Sequence, residues 1–197
     1  MKLYSRTVLL ALIAFVSGCS KKIDAIFPSP TAIQVVDPEP AKSITSNWYG
    51  YISKDDSYSA KFPAHPQEFN QSTDSPIGKL NVALVFSEDK TSGRAYLIQS
   101  NKYPVESSNF DIERGLTGAR DRIAQTYNGS VTGERNISYN GYPGREITLR
   151  TQSSVAFKVR IFIDSKGPTL YQAVVTAQDG DLDFVQTTAF LDSFNIK

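Results

Sequence analysis

Short runs of alternating residues dominate the chain from Trp48 onward, and one long stripe interrupts them. Tyr58, Ala60 and Phe62 alternate with Ser59 and Lys61, the signature of a half-buried strand. Pro63-Ala64-His65-Pro66 ends it, because proline has no donor for a ladder. A polar stretch runs on to Ser75, and Pro76-Ile77-Gly78 reads as a turn. Lys79 to Phe86 places Leu80, Val82, Leu84 and Phe86 on one face. Arg94 to Tyr103 alternates in the same way, so the two segments predict an antiparallel hairpin across the polar turn Glu88 to Gly93. The period then changes. Ile112, Leu116, Ala119, Ile123 and Tyr127 form one apolar stripe at helical spacing. Ser107, Ser108 or Asn109 can cap that helix, Asp111 and Glu113 suit its positive end, and Asn128-Gly129 ends it. Gly115 and Gly118 weaken the helix, or else allow it close to a sheet.

Four further strand-like segments follow. They are Ser130 to Tyr139, Arg145 to Thr151, Ser154 to Ile163 and Leu170 to Ala177. Asn140-Gly141-Tyr142-Pro143-Gly144 reads as the loop between the first two. A last helix is expected over Leu182 to Leu191, capped by Asp179-Gly180-Asp181; Phe184, Val185, Ala189, Phe190, Leu191 and Phe194 make it apolar over a wide arc, so it should be docked and largely covered. The fold class this predicts is α+β, an antiparallel β-sheet with helices packed on its faces.

The beginning of the chain follows another logic. Lys2 and Arg6 precede the charge-free run Val8 to Val16. That run falls short of the roughly 20 apolar residues that span a bilayer, and it reads as a secretion signal. It ends in Val16-Ser17-Gly18-Cys19, which resembles the bacterial lipoprotein box: an aliphatic residue, two small ones, then cysteine. The resemblance implies a diacylglyceryl thioether on Cys19, cleavage before it, and an acyl chain such as palmitate on the new amino group. Two or more chains anchor firmly where one does not. Ser20, a non-aspartate, favours the outer membrane by the same resemblance. The other reading is an ordinary cleaved signal with an incidental cysteine. Lys21 to Ser46, with Pro28, Pro30, Pro38 and Pro40, is expected to be an extended tether. The expected organisation is a signal peptide over 1–18, a tether over 19–46 and one domain over 47–197.

Composition narrows the functions. The 197 residues carry 21 basic and 20 acidic side chains, and removing 1–18 takes away Lys2 and Arg6 and no acid. The balance of 19 against 20 gives a net charge of −1, which argues against nucleic acid as a partner. Cys19 is the only cysteine, so disulfides and thiolate metal sites are excluded. A domain of roughly 150 residues buries about two thirds of its unfolded surface and needs no staple.

Candidate chemistry is sparse. His65, the only histidine, lies between prolines with no identifiable acid–base partner. Asp179, Asp181 and Asp183 have the spacing of a calcium loop, but Phe184 and Phe190 stand where such a loop needs glycine and glutamate. Asp55 and Asp56 read as solvated turn acids. Arg145, Glu146 and Arg160 form a polar patch or line a solvated sheet face. Tyr142, Pro143, Gly144 and Arg145 are the candidate binding loop, since loops on rigid sheets often carry function. No metal, cofactor or catalytic residue is expected.

Phe62-Pro63 with Pro66, then Gly141-Tyr142-Pro143-Gly144-Arg145-Glu146, Arg160, Leu170-Tyr171-Gln172 and Phe190-Leu191-Asp192-Ser193-Phe194 together resemble the PsbP-like group of bacterial proteins. That group's namesake is an extrinsic subunit of the photosynthetic oxygen-evolving complex. The resemblance spans roughly Trp48 to Lys197 and implies an antiparallel sheet with helices on its faces. It does not carry over a photosystem role. The expectation is a monomeric, membrane-anchored, extracytoplasmic domain, at the periplasmic face or in a thylakoid lumen, that binds or helps assemble another envelope or membrane protein. The alternative is a binder of a small apolar ligand in a sheet–helix cleft lined by Trp48, Tyr96 and Tyr127.

Replacing Cys19 by serine is expected to release the protein from membranes or leave its leader uncut. Membrane fractionation with immunoblotting checks this, and a processed, membrane-bound Cys19→Ser protein would contradict it.

Overall fold

A computed structural model describes residues 34–35, 44–75, 78–104 and 110–197. The expected signal peptide, Cys19, most of the expected tether, Pro76-Ile77 and the expected cap at Ser107–Asn109 lie outside the described residues. The strands are β1 (Gln34–Val35), β2 (Tyr49–Ile52), β3 (Tyr58–Phe62), β4 (Gln67–Ser75), β5 (Gly78–Asp89), β6 (Arg94–Lys102), β7 (Gly129–Tyr139), β8 (Tyr142–Thr151), β9 (Ala156–Asp164), β10 (Thr169–Ala177) and β11 (Asn195–Ile196). The helices are α1 (Ile112–Thr126) and α2 (Val185–Ser193).

Eight strands form one sheet in the order β1-β7-β8-β9-β10-β6-β5-β4, and three form a second in the order β11-β3-β2. Every neighbouring pair is antiparallel except β1 with β7. Alternation along β9 and β10 then sorts side chains into two cores. Leu149, Phe157, Val159, Ile161, Ile163 and Val174 meet Leu116 and Ile123 of α1 on one face. Tyr96, Ile98, Phe162, Tyr171 and Val175 meet the small sheet and α2 on the other. Covering both faces explains why these strands read as near-continuous apolar runs. Phe190 of α2 is fully buried, with its ring edge-on to Phe62 at 5.2 Å and Tyr96 at 5.3 Å. A fully buried side chain of this size contributes roughly 1.5–3 kcal/mol.

The hairpin β5–β6 and the stripe on α1 lie where the pattern places them. Three local expectations are corrected. The polar stretch before Ser75 is strand β4, exposed on both faces and therefore without alternation. Asp111 caps α1, its carboxylate accepting from the Arg114 amide at 3.0 Å. Asp179 and Asp181 do not cap α2, which starts after Phe184 with no side-chain cap. Thr45 is already buried, so the packed body begins slightly ahead of residue 47.

Two glycines have opposite meanings. A Cβ on Gly144 would strike the Ile161 carbonyl oxygen and come within 2.6 Å of the Phe162 ring, so glycine sets the β8–β9 spacing there. Gly118 has nothing within 4 Å on an exposed face of α1. Gly144→Ala is expected to cost about 1–3 kcal/mol, and Gly118→Ala to gain about 0.5–1 kcal/mol. Urea unfolding of the two variants checks both signs.

Candidate functional site

The presumed loop at residues 140–144 shortens to two residues. Asn140 and Gly141 have φ of 48° and 84°, and Tyr139 pairs with Tyr142 across them. This is the tight hairpin turn that Asn-Gly favours. Tyr142, Pro143, Gly144 and Arg145 therefore begin strand β8 and are not a loop. The pleat sends Tyr142 and Gly144 to the α2 side and Pro143 and Arg145 to the α1 side, so the four share no surface. The Tyr142 hydroxyl donates to the Lys197 carbonyl at 3.2 Å.

Arg145 and Glu146, adjacent in β8, anchor separate ion networks on opposite faces. Arg145 reaches Glu113 of α1 at 2.7 Å and Glu134 of β7 at 2.9 Å. Arg120 of α1 joins Glu134 at 3.0 Å, which draws the helix onto the sheet. On the other face Arg160 lies between two carboxylates. Its Nε donates to Glu146 at 2.8 Å and its Nη1 to Asp192 of α2 at 2.6 Å. Arg135 completes the row, donating to Glu146 at 2.9 Å. Burial alone would raise the Glu146 carboxyl, but the hydrogen bond and charge of Arg160, with Lys158 and Arg135 beyond, outweigh it and hold it below the usual carboxylate range. These residues are a buried strap between sheet and helix, neither a surface patch nor a solvated face.

A third cluster went unnoticed in the sequence. Arg94 is buried at the start of β6 and donates to the Ser92 carbonyl at 2.7 Å and the Asp181 carbonyl at 3.0 Å. The Asp179 and Asp181 carboxylates approach it at 3.4 Å, and its guanidinium lies 4.2 Å from the Phe184 ring centre. The aspartates thus secure the lead-in to α2. Among the described residues, no three of His, Cys, Asp and Glu converge where a metal ion would sit.

The aromatics expected to line one cleft are separated by the sheet. Trp48 and Tyr96 pack edge-on at 6.1 Å on the α2 side, and Tyr127 lies against Phe157 at 4.4 Å on the α1 side. Burial pushes the Tyr96 hydroxyl up to about 12 and raises Tyr58 and Tyr127 as well. The space between β7 and α2 is a cavity of about 20 Å³, room for a single water. His65 lies against Tyr49 in its proline loop, the ring centres 4.4 Å apart and the planes tilted by 50°.

The larger concavity is polar. A groove of about 550 Å³ opens where β4, β5, β6 and β10 run beyond the small sheet. Asn70, Ser72, Asn81, Ser100 and Thr169 line it, with Asp55 at its rim. Burial would raise the Asp55 carboxyl, but the hydroxyls of Ser57 and Ser53 and the Ser57 amide lower it, so it is ionised at neutral pH. The groove holds no histidine, and the Ser72 hydroxyl is committed to Asn81. This lining can hydrogen-bond a polar chain.

No family model matches the chain, and no curated protein matches it. Among solved structures, the solution structure of cyanobacterial PsbP (CyanoP) from Synechocystis sp. PCC 6803 superposes with a TM-score of 0.51 at 10% identity. The match covers 76% of this chain and 92% of that one. The likeness is one of fold, and it bears out the expectation of a PsbP-like domain. Those motifs are far apart in the chain but meet in the structure: Glu146, Arg160 and Asp192 are one ion strap.

Glu146 supplies a pH signature. A carboxyl whose pKa is depressed by folding adds stability that is full above its unfolded pKa and drains away as pH falls through the folded one. Glu146→Gln is expected to cost about 1.5–3 kcal/mol at neutral pH, because Arg160 loses one of its two carboxylates and keeps Asp192 alone. The gap from wild type should close as pH falls below the usual carboxylate range. Urea unfolding across that range checks it, and a gap that stays constant would contradict it.

Proposed function

We propose that this chain is a lipid-anchored, extracytoplasmic protein whose PsbP-like domain binds, or assists assembly of, another membrane or envelope protein without catalysing a reaction. The observation that carries the reading is Val16-Ser17-Gly18-Cys19 behind a charge-free core, upstream of a domain whose buried charges are engaged by partners within the fold. Thioether-linked diacylglycerol and an N-terminal acyl chain on Cys19 hold the domain to the membrane, and the proline-containing segment up to Ser46 spaces it away. The outer membrane's periplasmic face is the favoured location, or the thylakoid lumen if the source is a cyanobacterium. Among the described residues no helix is long and apolar enough to cross a membrane. A fold is a poor guide to activity, and the reading takes no photosystem role from the structural likeness.

Photo-cross-linking of the lipidated chain in its native membrane is the test. The expected result is one recurrent protein adduct that excess soluble domain competes away. Repeated absence of an adduct, or turnover of a substrate by the purified domain, would overturn the proposal.

A further inference from the structure

The two ends of the large sheet are treated differently. At one end, β7 is covered at Ile137 and Ser138 by β1, and its register breaks between Val131 and Gly133. A covering strand and a bulge are two standard guards against stray strand pairing. At the other end, β4 runs nine residues with unbroken register, from Gln67 opposite Phe86 to Ser75 opposite Gly78. It contains no proline, no lysine and no bulge, and among the described residues nothing pairs with its outer edge. The small sheet ends instead in strands of four and two residues, too short to invite a partner. What guards this long, regular edge is its two acids, Glu68 and Asp74, which deter some strands and suit others.

The charges on β4 say what fits. Glu68, Asn70, Ser72 and Asp74 point to the groove side, and Phe69 points to the other side. A second copy pairing antiparallel about Gln71 would set Glu68 against Asp74 twice, and like charges directly opposite repel. A strand with basic side chains six residues apart converts both repulsions into attractions. Lys54 pairs with Glu68 at 3.0 Å, but it is 76% exposed and such a pair is readily exchanged. Phe69 stacks on Phe86 at 5.7 Å and is still 45% exposed, which leaves ring surface for an apolar side chain.

We propose that β4 receives, by strand addition, an extended segment of the partner protein that carries Lys or Arg opposite Glu68 and Asp74 and an apolar residue opposite Phe69. Main-chain hydrogen bonds supply the affinity and the alternate side chains the specificity. This rests on the protein-binding reading above and locates its surface.

The probe is the peptide Thr-Lys-Val-Thr-Val-Thr-Val-Lys-Thr, with a counterpart bearing Glu in place of both lysines. The full chain is titrated with each while backbone amide shifts are followed by NMR. The lysine peptide should shift amides of residues 67–75 and bind about tenfold tighter than the glutamate peptide. Asp74→Lys should erase that preference, and Asp74→Asn should halve its logarithm if the larger change disturbs folding. Equal binding of both peptides, shifts elsewhere, no binding, or a dimer seen by ultracentrifugation that Asp74→Lys strengthens would overturn the proposal. If Asp74→Lys leaves the photo-adduct intact, strand addition falls while the protein-binding reading stands. If wild type gives no adduct, the broader reading falls first.

Discussion

Arg160 sits in the middle of a buried strand with a carboxylate on either side, and much of the architecture follows from that arrangement. Glu146 ties it to β8, and Asp192 ties it to α2. A one-residue slip between β8 and β9 would flip every side chain to the other face and bring Arg145 opposite Arg160. The correct register instead pairs both charges, Arg145 toward α1 and Arg160 toward α2. Such pairs add little net stability over an apolar packing, because desolvation offsets attraction. Their effect is to make the wrong alignment expensive. Gly144 works alongside them, since only a missing side chain lets β9 approach at that point.

What could be read in advance tracks what is buried. Strands with one covered face alternate, those covered on both faces are apolar nearly throughout, and α1 shows its stripe. β4 was illegible because Gln67 to Asp74 is solvated on both faces, so no period distinguishes it from a loop. The Asn140–Gly144 segment looked like a long loop because Pro143 and Gly144 are turn residues by habit. Here Gly144 serves close packing in a strand. The ion strap was present only as scattered letters. Arg160 in the apolar run Phe157 to Ile163 signals a buried charge needing a partner, but naming Glu146 and Asp192 requires the register and the helix docking. Arg94 was missed for the same reason, its partners lying 85 and 87 residues away.

With the interior charges engaged in holding layers together, the proposed function draws on the outside of the domain and on its attachment. The polar groove and the open edge of β4 lie side by side at one end of the sheet, in keeping with contact along an extended chain more than with a pocketed small molecule. The leader and Cys19 add the second half of the proposal, a location where a bilayer-embedded or envelope partner is within reach. Neither half requires chemistry from the domain itself.

Top-down mass spectrometry of the protein taken from its native membrane tests the anchored-domain reading most directly. The expected mature chain starts at Cys19 and carries a diacylglyceryl group on sulfur with an acyl chain on the amino terminus. A chain that retains residues 1–18, or starts at Cys19 with no added lipid, would contradict it.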